Sequence, residues 1–255
     1  MDAFLTTERV TFDKLGDFVL SNVRKVRIIG FCGHLGAGKT YFANKLTEFL
    51  STNGEIVVRV SFASYLKKVA YRIWGIRKAY LDRYSNISEF SFGLFSRLYS
   101  EANFQELFSN LYYEYPNHHN IIAHAEEYLS ILTEDYVNNN KNNAARKILQ
   151  YLGTELFRAI DEDFHVKRVH EYLTDLQINV NPFIAIIDDV RFPNEANYVS
   201  YHNGIVVKVN RPIEKRALAL NKSVEIMKDL EQHDSEKAVD VIVPHFILDN
   251  DNWFF

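Results

Sequence analysis

Apolar positions recur along this chain at two spacings, one helical and one strand-like, and they alternate in a regular order. From Thr11 to Val23, Phe12, Leu15, Phe18, Val19 and Val23 share one helical face. Val26-Arg27-Ile28-Ile29-Gly30-Phe31-Cys32 is an apolar run of buried-strand length, and Phe42, Leu46, Phe49 and Leu50 then return to helical spacing. Asn53-Gly54 reads as a helix stop. Glu55–Phe62, with Ile56, Val57, Val58 and Val60, predicts a second strand, and Ala63–Trp74 a helix ended by Gly75. A strand followed by a helix, twice over, predicts an α/β chain with a parallel sheet covered by helices on both faces.

The alternation pauses over residues 76–140, which are rich in Tyr, Phe and Asn and predict helical pieces around 88–100, 102–114 and 121–132. A polar Asn-rich stretch at 138–143 reads as a linker. The insertion suits either a subdomain that covers a substrate or an extra helical layer without a site. From Ala144 to Ile160 an amphipathic helix is predicted, with Ala145, Ile148, Leu149, Leu152, Leu156 and Ala159 on one face. Arg146, Gln150, Thr154 and Arg158 recur every fourth residue on the other. A helix over 163–177 precedes Phe183-Ile184-Ala185-Ile186-Ile187-Asp188-Asp189, a strand apolar enough to be buried on both faces. A short helix at 194–202, a strand at 205–209, a helix at 223–232 and a last strand within 240–248 complete the pattern.

Composition narrows the class. The chain has 255 residues, 47% of them hydrophobic and 24% charged, which suits one α/β domain with an insertion. A formal charge of −4 argues against broad nucleic-acid binding by the whole surface while permitting a local basic cleft, and no polymeric nucleic acid is expected as a partner. The single cysteine, Cys32, excludes an internal disulfide and fits a reducing compartment. No apolar stretch reaches membrane-spanning length and no signal peptide is recognisable, so the expected location is cytoplasmic, the host's cytoplasm for a viral chain. His118, His119 and His124 fit no standard zinc spacing.

The chemistry enters at Gly33-His34-Leu35-Gly36-Ala37-Gly38-Lys39-Thr40, which matches the phosphate-binding loop G-x-x-x-x-G-K-[ST]. Its glycines let backbone N–H groups turn toward a polyphosphate, Lys39 reaches the β- and γ-phosphates, and the Thr40 hydroxyl ligates Mg²⁺. A strand before it and a helix after it aim free N–H groups and the helix dipole at the anion. ATP, or another nucleoside triphosphate, is therefore the expected ligand. Asp189, at the end of the buried strand, is the expected second half of such a site, holding Mg²⁺ or orienting the attacking oxygen. Arg191, two residues on, suits charge neutralisation on a phosphoryl group.

Taken together, these motifs resemble the deoxynucleoside monophosphate kinases of bacteriophages. The P-loop is the first match. Ser61-Phe62-Ala63-Ser64-Tyr65-Leu66-Lys67 with Trp74-Gly75 is similar to the family's F-A-x-P-[LI]-K element and its following W-G, with Tyr65 in place of the usual proline. Arg146-Lys147-Ile148-Leu149-Gln150-Tyr151-Leu152-Gly153-Thr154-Glu155 is similar to R-x-x-[LM]-Q-x-L-G-T-[DE], and Asp189, Arg191 and Glu195 to D-x-R-x-x-x-E. His233-Asp234-Ser235-Glu236 is similar to a late H-x-[ST]-E. The resemblance implies one P-loop kinase domain over 1–255 with a helical insertion at 76–140. It also implies transfer of the ATP γ-phosphoryl to a deoxynucleoside monophosphate, with Mg²⁺ as cofactor and small nucleotides as partners. Lys39, Asp189 and Arg191 would be catalytic. Lys67, Trp74, Arg146, Gln150, Thr154, Arg158 and Glu195 would line the acceptor site, and Arg211 would touch ATP. A homodimer is compatible with the sequence. Two other readings share the ATP site: a kinase for another small acceptor, such as dephospho-coenzyme A or a nucleoside, and an ATPase or switch module.

Overall fold

The computed structural model describes residues 7–68, 113–118, 150–179 and 182–251. By its internal contacts the chain divides into two compact units, Met1–Phe62 with Val166–Phe255, and Ala63–His165. In the first unit, six parallel strands lie in the order β1-β6-β5-β2-β4-β3. They are β1 Glu8–Arg9, β2 Ile28–Cys32, β3 Val57–Val60, β4 Ile184–Val190, β5 Ile205–Asn210 and β6 Phe246–Asp249. The helices are α1 Phe12–Ser21, α2 Lys39–Thr52, α3 Phe164–Asn179, α4 Pro193–Tyr201, α5 Ile213–Ala219, α6 Val224–Leu230 and α7 Asp234–Lys237.

Period-two alternation along the strands builds two cores, one on each face of the sheet. Ile29 and Phe31 of β2, with Ile184 and Ile186 of β4, pack against Leu15 and Val19 of α1 and Phe42, Leu46 and Leu50 of α2. Ile28, Cys32, Ala185 and Ile187 face the other way, onto Val169 and Leu173 of α3 and Ala196 and Val199 of α4. Every β2 residue is buried, as its apolar run predicts for a central strand. Thr11 caps α1 by accepting from the Lys14 N–H, and Ser223 caps α6 through the Ile226 N–H.

The structure departs from the sequence pattern in four places. The last strand starts only at Phe246, because Pro244 has no N–H to give a ladder, and Ala238–Val241 is instead a 3₁₀ turn. The two-residue β1 is held by its pairing to β6, with no alternation of its own. Helices α5 and α7 are too short, at seven and four residues, for an apolar spacing to announce them. The expected α-helix over 144–160 is described from Gln150 onward, and there Tyr151–Phe157 forms a π-helix before a last α-helical turn at Arg158–Ile160. The expected helices at 88–100 and 121–132, the linker at 138–143, and most of the helix at 102–114 lie outside the described residues.

In the second unit, Phe157 and Phe164 stack with centroids 4.6 Å apart, and Tyr65 meets them edge-on at 6.2 and 5.5 Å. The His165 ring nitrogen Nε2 lies 3.1 Å from the Gly153 carbonyl. A β-carbon on Gly153 would stand 3.1 Å from Leu66.

Candidate active site

The P-loop leaves β2 through Gly33 and closes on α2 through Gly38, both in the left-handed region at φ +138° and +104°. A β-carbon at Gly33 would lie 2.5 Å from the Val209 carbonyl oxygen, and one at Gly38 2.5 Å from Asn250 Nδ2. Two strands thus brace the loop from outside. Asn250 is fully buried and donates from Nδ2 to the Ala37 carbonyl at 2.7 Å. Gly38 caps α2 with no side chain, so the first N–H groups of that helix point toward a prospective anion.

Lys39 folds back onto the loop, its Nζ donating to the Gly33 carbonyl (2.5 Å) and the His34 carbonyl (3.0 Å). Its ammonium is enclosed although the residue as a whole is only partly buried. Burial, and then the charge of Arg191, lower its pKa to about 8 against the opposing pull of Glu236, Cys32 and Asp188. Thr40 is exposed at the first turn of α2.

The two carboxylates of β4 have different partners, where the register between β2 and β4 shifts. Asp188 follows Ile184 and Ile186 on the α2 face and pairs with Arg59 at 2.8 Å; Arg59 also donates to Asn44 of α2. Asp189 accepts from Ser61 Oγ at 2.5 Å and from the Phe62 N–H at 2.9 Å. It fastens the turn after β3, whereas Asp188 is the carboxylate whose charge acts on Lys39. Among the described residues no cluster of three acidic, histidine or cysteine side chains could hold a metal by itself. Thr40, Asp188 and Asp189 carry hard oxygen donors of the kind Mg²⁺ takes.

Arg191 leaves β4 toward the P-loop, and its Nη1 donates to Glu236 at 3.0 Å. Glu195, expected in the acceptor pocket, is buried at the start of α4, where it accepts from the Arg191 N–H (2.7 Å) and the Phe192 N–H (3.2 Å). It shapes the turn that aims Arg191. Glu236 is only 1% exposed, and its Oε2 accepts from the Leu35 N–H at 2.9 Å. Burial alone would raise its pKa. His34, Arg191, Lys39 and the Leu35 N–H outweigh that and hold the carboxyl far below the usual range. His34 Nδ1 stands 3.5 Å from Glu236 and Nε2 3.0 Å from Asp240; hydrogen bonding to Glu236 is the main cause that raises the His34 pKa.

Beside the P-loop is a cavity of about 340 Å³ lined by His34, Ala37, Val209, Asn210, Arg211 and Pro212, among others. Arg211 donates to the Gly36 carbonyl at 3.4 Å, which places it beside the P-loop. Arg216 escaped the sequence reading. Buried on α5, it donates to the Arg211 and Leu35 carbonyls at 3.0 and 3.3 Å and pairs with Glu231. Its only signal was a run of helix formers after Pro212.

Of the expected acceptor residues, Lys67, Gln150, Thr154 and Arg158 belong to the second unit, and each is partly buried. Arg158 donates to the Glu162 carbonyl at 3.1 Å. Trp74 and Arg146 lie outside the described residues.

The comparisons with known proteins converge on one family. The family model described as "Deoxynucleotide monophosphate kinase" matches residues 91–241, well over half of the chain. A protein of Acanthamoeba polyphaga mimivirus named "Putative deoxynucleotide monophosphate kinase" is 31% identical over 75 residues, 26% of this chain. The match spans 39% of that relative's length. The family match begins beyond the P-loop and takes in the Arg191 turn and Glu236, so sequence similarity and phosphate-site geometry are separate supports. The chain belongs to the deoxynucleotide monophosphate kinase family.

Proposed function

We propose that the protein transfers the γ-phosphoryl of ATP to a deoxynucleoside 5′-monophosphate, releasing ADP and the deoxynucleoside diphosphate. The observation that carries this reading is the convergence of Lys39 and Arg191 at the ends of adjacent parallel strands, in a chain of this family. Phosphoryl transfer asks little covalent help of a protein; positioning and charge neutralisation supply most of the catalysis. The P-loop N–H groups and Lys39 hold the β- and γ-phosphates, and Arg191 faces the transferring group or the acceptor phosphate. The cavity beside Arg211 takes the nucleoside of ATP. Mg²⁺, when bound, would neutralise phosphate charge, held from the protein side by Thr40 and a β4 carboxylate; Asp189 is the one the motif names, and Asp188, whose charge acts on Lys39, is the one this reading favours.

Lys67, Trp74, Arg146, Gln150, Thr154 and Arg158 bind the acceptor in this reading, and residues 76–140 cover it. The partners are small nucleotides rather than polymeric nucleic acid, and the cytoplasm, where ATP is abundant and Cys32 stays reduced, is the setting. Among the described residues no helix is long and apolar enough to cross a membrane.

The test is ADP release from ATP and Mg²⁺, with and without a panel of monophosphates. Release that depends on a deoxynucleoside monophosphate is expected. Dependence on another acceptor class would redirect the reading to a different small-molecule kinase, and acceptor-independent release would make the chain an ATPase.

A further inference from the structure

We infer that Glu236 is a positioning residue for phosphoryl transfer, locking Arg191 to the P-loop so that two cations stay aimed at one point. The inference rests on the kinase reading above and extends it to a residue outside the expected site. Glu236 sits on α7, a four-residue helix whose N-terminus is capped by His233 through the Ser235 N–H. Its two oxygens are divided between two parts of the phosphate machinery. Oε1 accepts from Arg191 Nη1 at 3.0 Å, and Oε2 accepts from the Leu35 N–H at 2.9 Å. The His34 ring adds a third contact from within the loop, at 3.5 Å. One buried carboxylate therefore spans the distance between the loop after β2 and the turn after β4.

Such a bridge has a physical task. Lys39 and Arg191 are like charges close enough for Arg191 to lower the affinity of Lys39 for its proton. Before a polyphosphate arrives, nothing in the reaction itself holds them together. Glu236 offsets that repulsion and fixes the guanidinium by a charge-assisted bond, with the P-loop backbone as its anchor. Arg191 is then already in place when the phosphate binds, and no reorganisation remains for the transfer step.

The test is a double-mutant cycle of Glu236→Gln and Arg191→Ala in the full chain. Steady-state rates, ATP affinity by calorimetry and melting temperature are measured for each variant. We expect Glu236→Gln to lower kcat on the order of 10- to 100-fold, the range for outer-shell partners of a site. ATP affinity should stay within about twofold of wild type or tighten, because removing a negative charge beside two cations does not weaken attraction for an anion. On the Arg191→Ala background, Glu236→Gln should cost less than about a further twofold, since its effect runs through that arginine. Glu236→Asp, which keeps the charge but is too short to reach both partners, should lose kcat similarly, and it carries the test if the Gln variant does not fold. A folded Glu236→Gln or Glu236→Asp protein with wild-type kcat overturns the inference, as do losses that multiply in the double variant. Wild-type ADP release with and without the monophosphate separates the two readings. Acceptor-independent release removes the kinase reading, and the same cycle is then read on that hydrolysis rate; no release under either condition overturns both.

Discussion

Enclosure and the charge of Arg191 lower the Lys39 pKa to about 8, while the unfolded chain keeps the ordinary 10.5. Without nucleotide the unfolded state binds more protons between these values, so stability should rise with pH from about 8 to 10.5. Phosphates reverse the preference by favouring the charged ammonium. ATP binding near pH 8.5 should therefore take up protons, and affinity should fall by up to about tenfold per pH unit above 8. Calorimetry in two buffers of unlike ionisation enthalpy reads the uptake directly. Lys39→Ala should abolish it and lower kcat by at least ~10²-fold, as when one preorganised charge-stabilising donor is removed. A wild type that binds ATP with no proton uptake would contradict this account of the lysine. The two β4 carboxylates make a second test at this scale. Asp188→Asn should raise the Mg²⁺ concentration needed for half-maximal rate several-fold and leave the melting temperature near wild type. Asp189→Asn should lower the melting temperature and the rate together, because it loosens Ser61 and Phe62. A larger shift in Mg²⁺ requirement for Asp189→Asn would return the metal to that residue.

Elements show where the sequence was readable and why. The motif D-x-R does not say what each β4 aspartate binds: Asp188 pairs with Arg59 and Asp189 accepts from Ser61 and Phe62, partners brought together by tertiary packing that no local period encodes. Strand–loop–helix signals located β2 and α2 within two residues, because their apolar spacing and their glycines serve the same local geometry. Arg216 stayed hidden, and Glu236 showed only as the end of an H-x-[ST]-E match with no role attached, because α5 and α7 are short and held by tertiary bonds to the P-loop rather than by an apolar stripe. Tyr65, out of pattern for a proline position, is explained by its packing on Phe157 and Phe164. Two glycines separate backbone strain from site geometry. At Gly38 a β-carbon meets Asn250 in the left-handed region, whereas at Gly54, φ +87°, it meets nothing within 4 Å. Gly38→Ala should lose ATP binding as well as stability. Gly54→Ala should cost only the left-handed strain, roughly 1–2 kcal/mol, with ATP affinity unchanged. Thermal melts paired with ATP titration check this, and equal effects on ATP affinity at the two glycines would show that the brace from Asn250 is immaterial.

For the whole molecule, the alternating pattern of strands and helices foretold a parallel sheet flanked by helices, and the six-stranded sheet bears that out. The division into two compact units was less legible. The sequence marked an insertion at 76–140, whereas the second unit extends over Ala63–His165 and so takes in the Lys67 element and the 150–158 face. Aromatic contacts among Tyr65, Phe157 and Phe164 tie those segments together across a sequence separation that no local period encodes. Of the residues expected to act, Lys39, Asp189, Arg191, Glu195 and Arg211 fall in the first unit, and Lys67, Gln150, Thr154 and Arg158 in the second. The most direct test of the central claim follows the γ-phosphoryl itself. ATP labelled at the γ-phosphate is incubated with Mg²⁺, a deoxynucleoside monophosphate and the protein, and the products are separated. Label recovered in the deoxynucleoside diphosphate, one for each ADP formed, is the predicted result; label recovered only as inorganic phosphate, at a rate the monophosphate does not change, would contradict it.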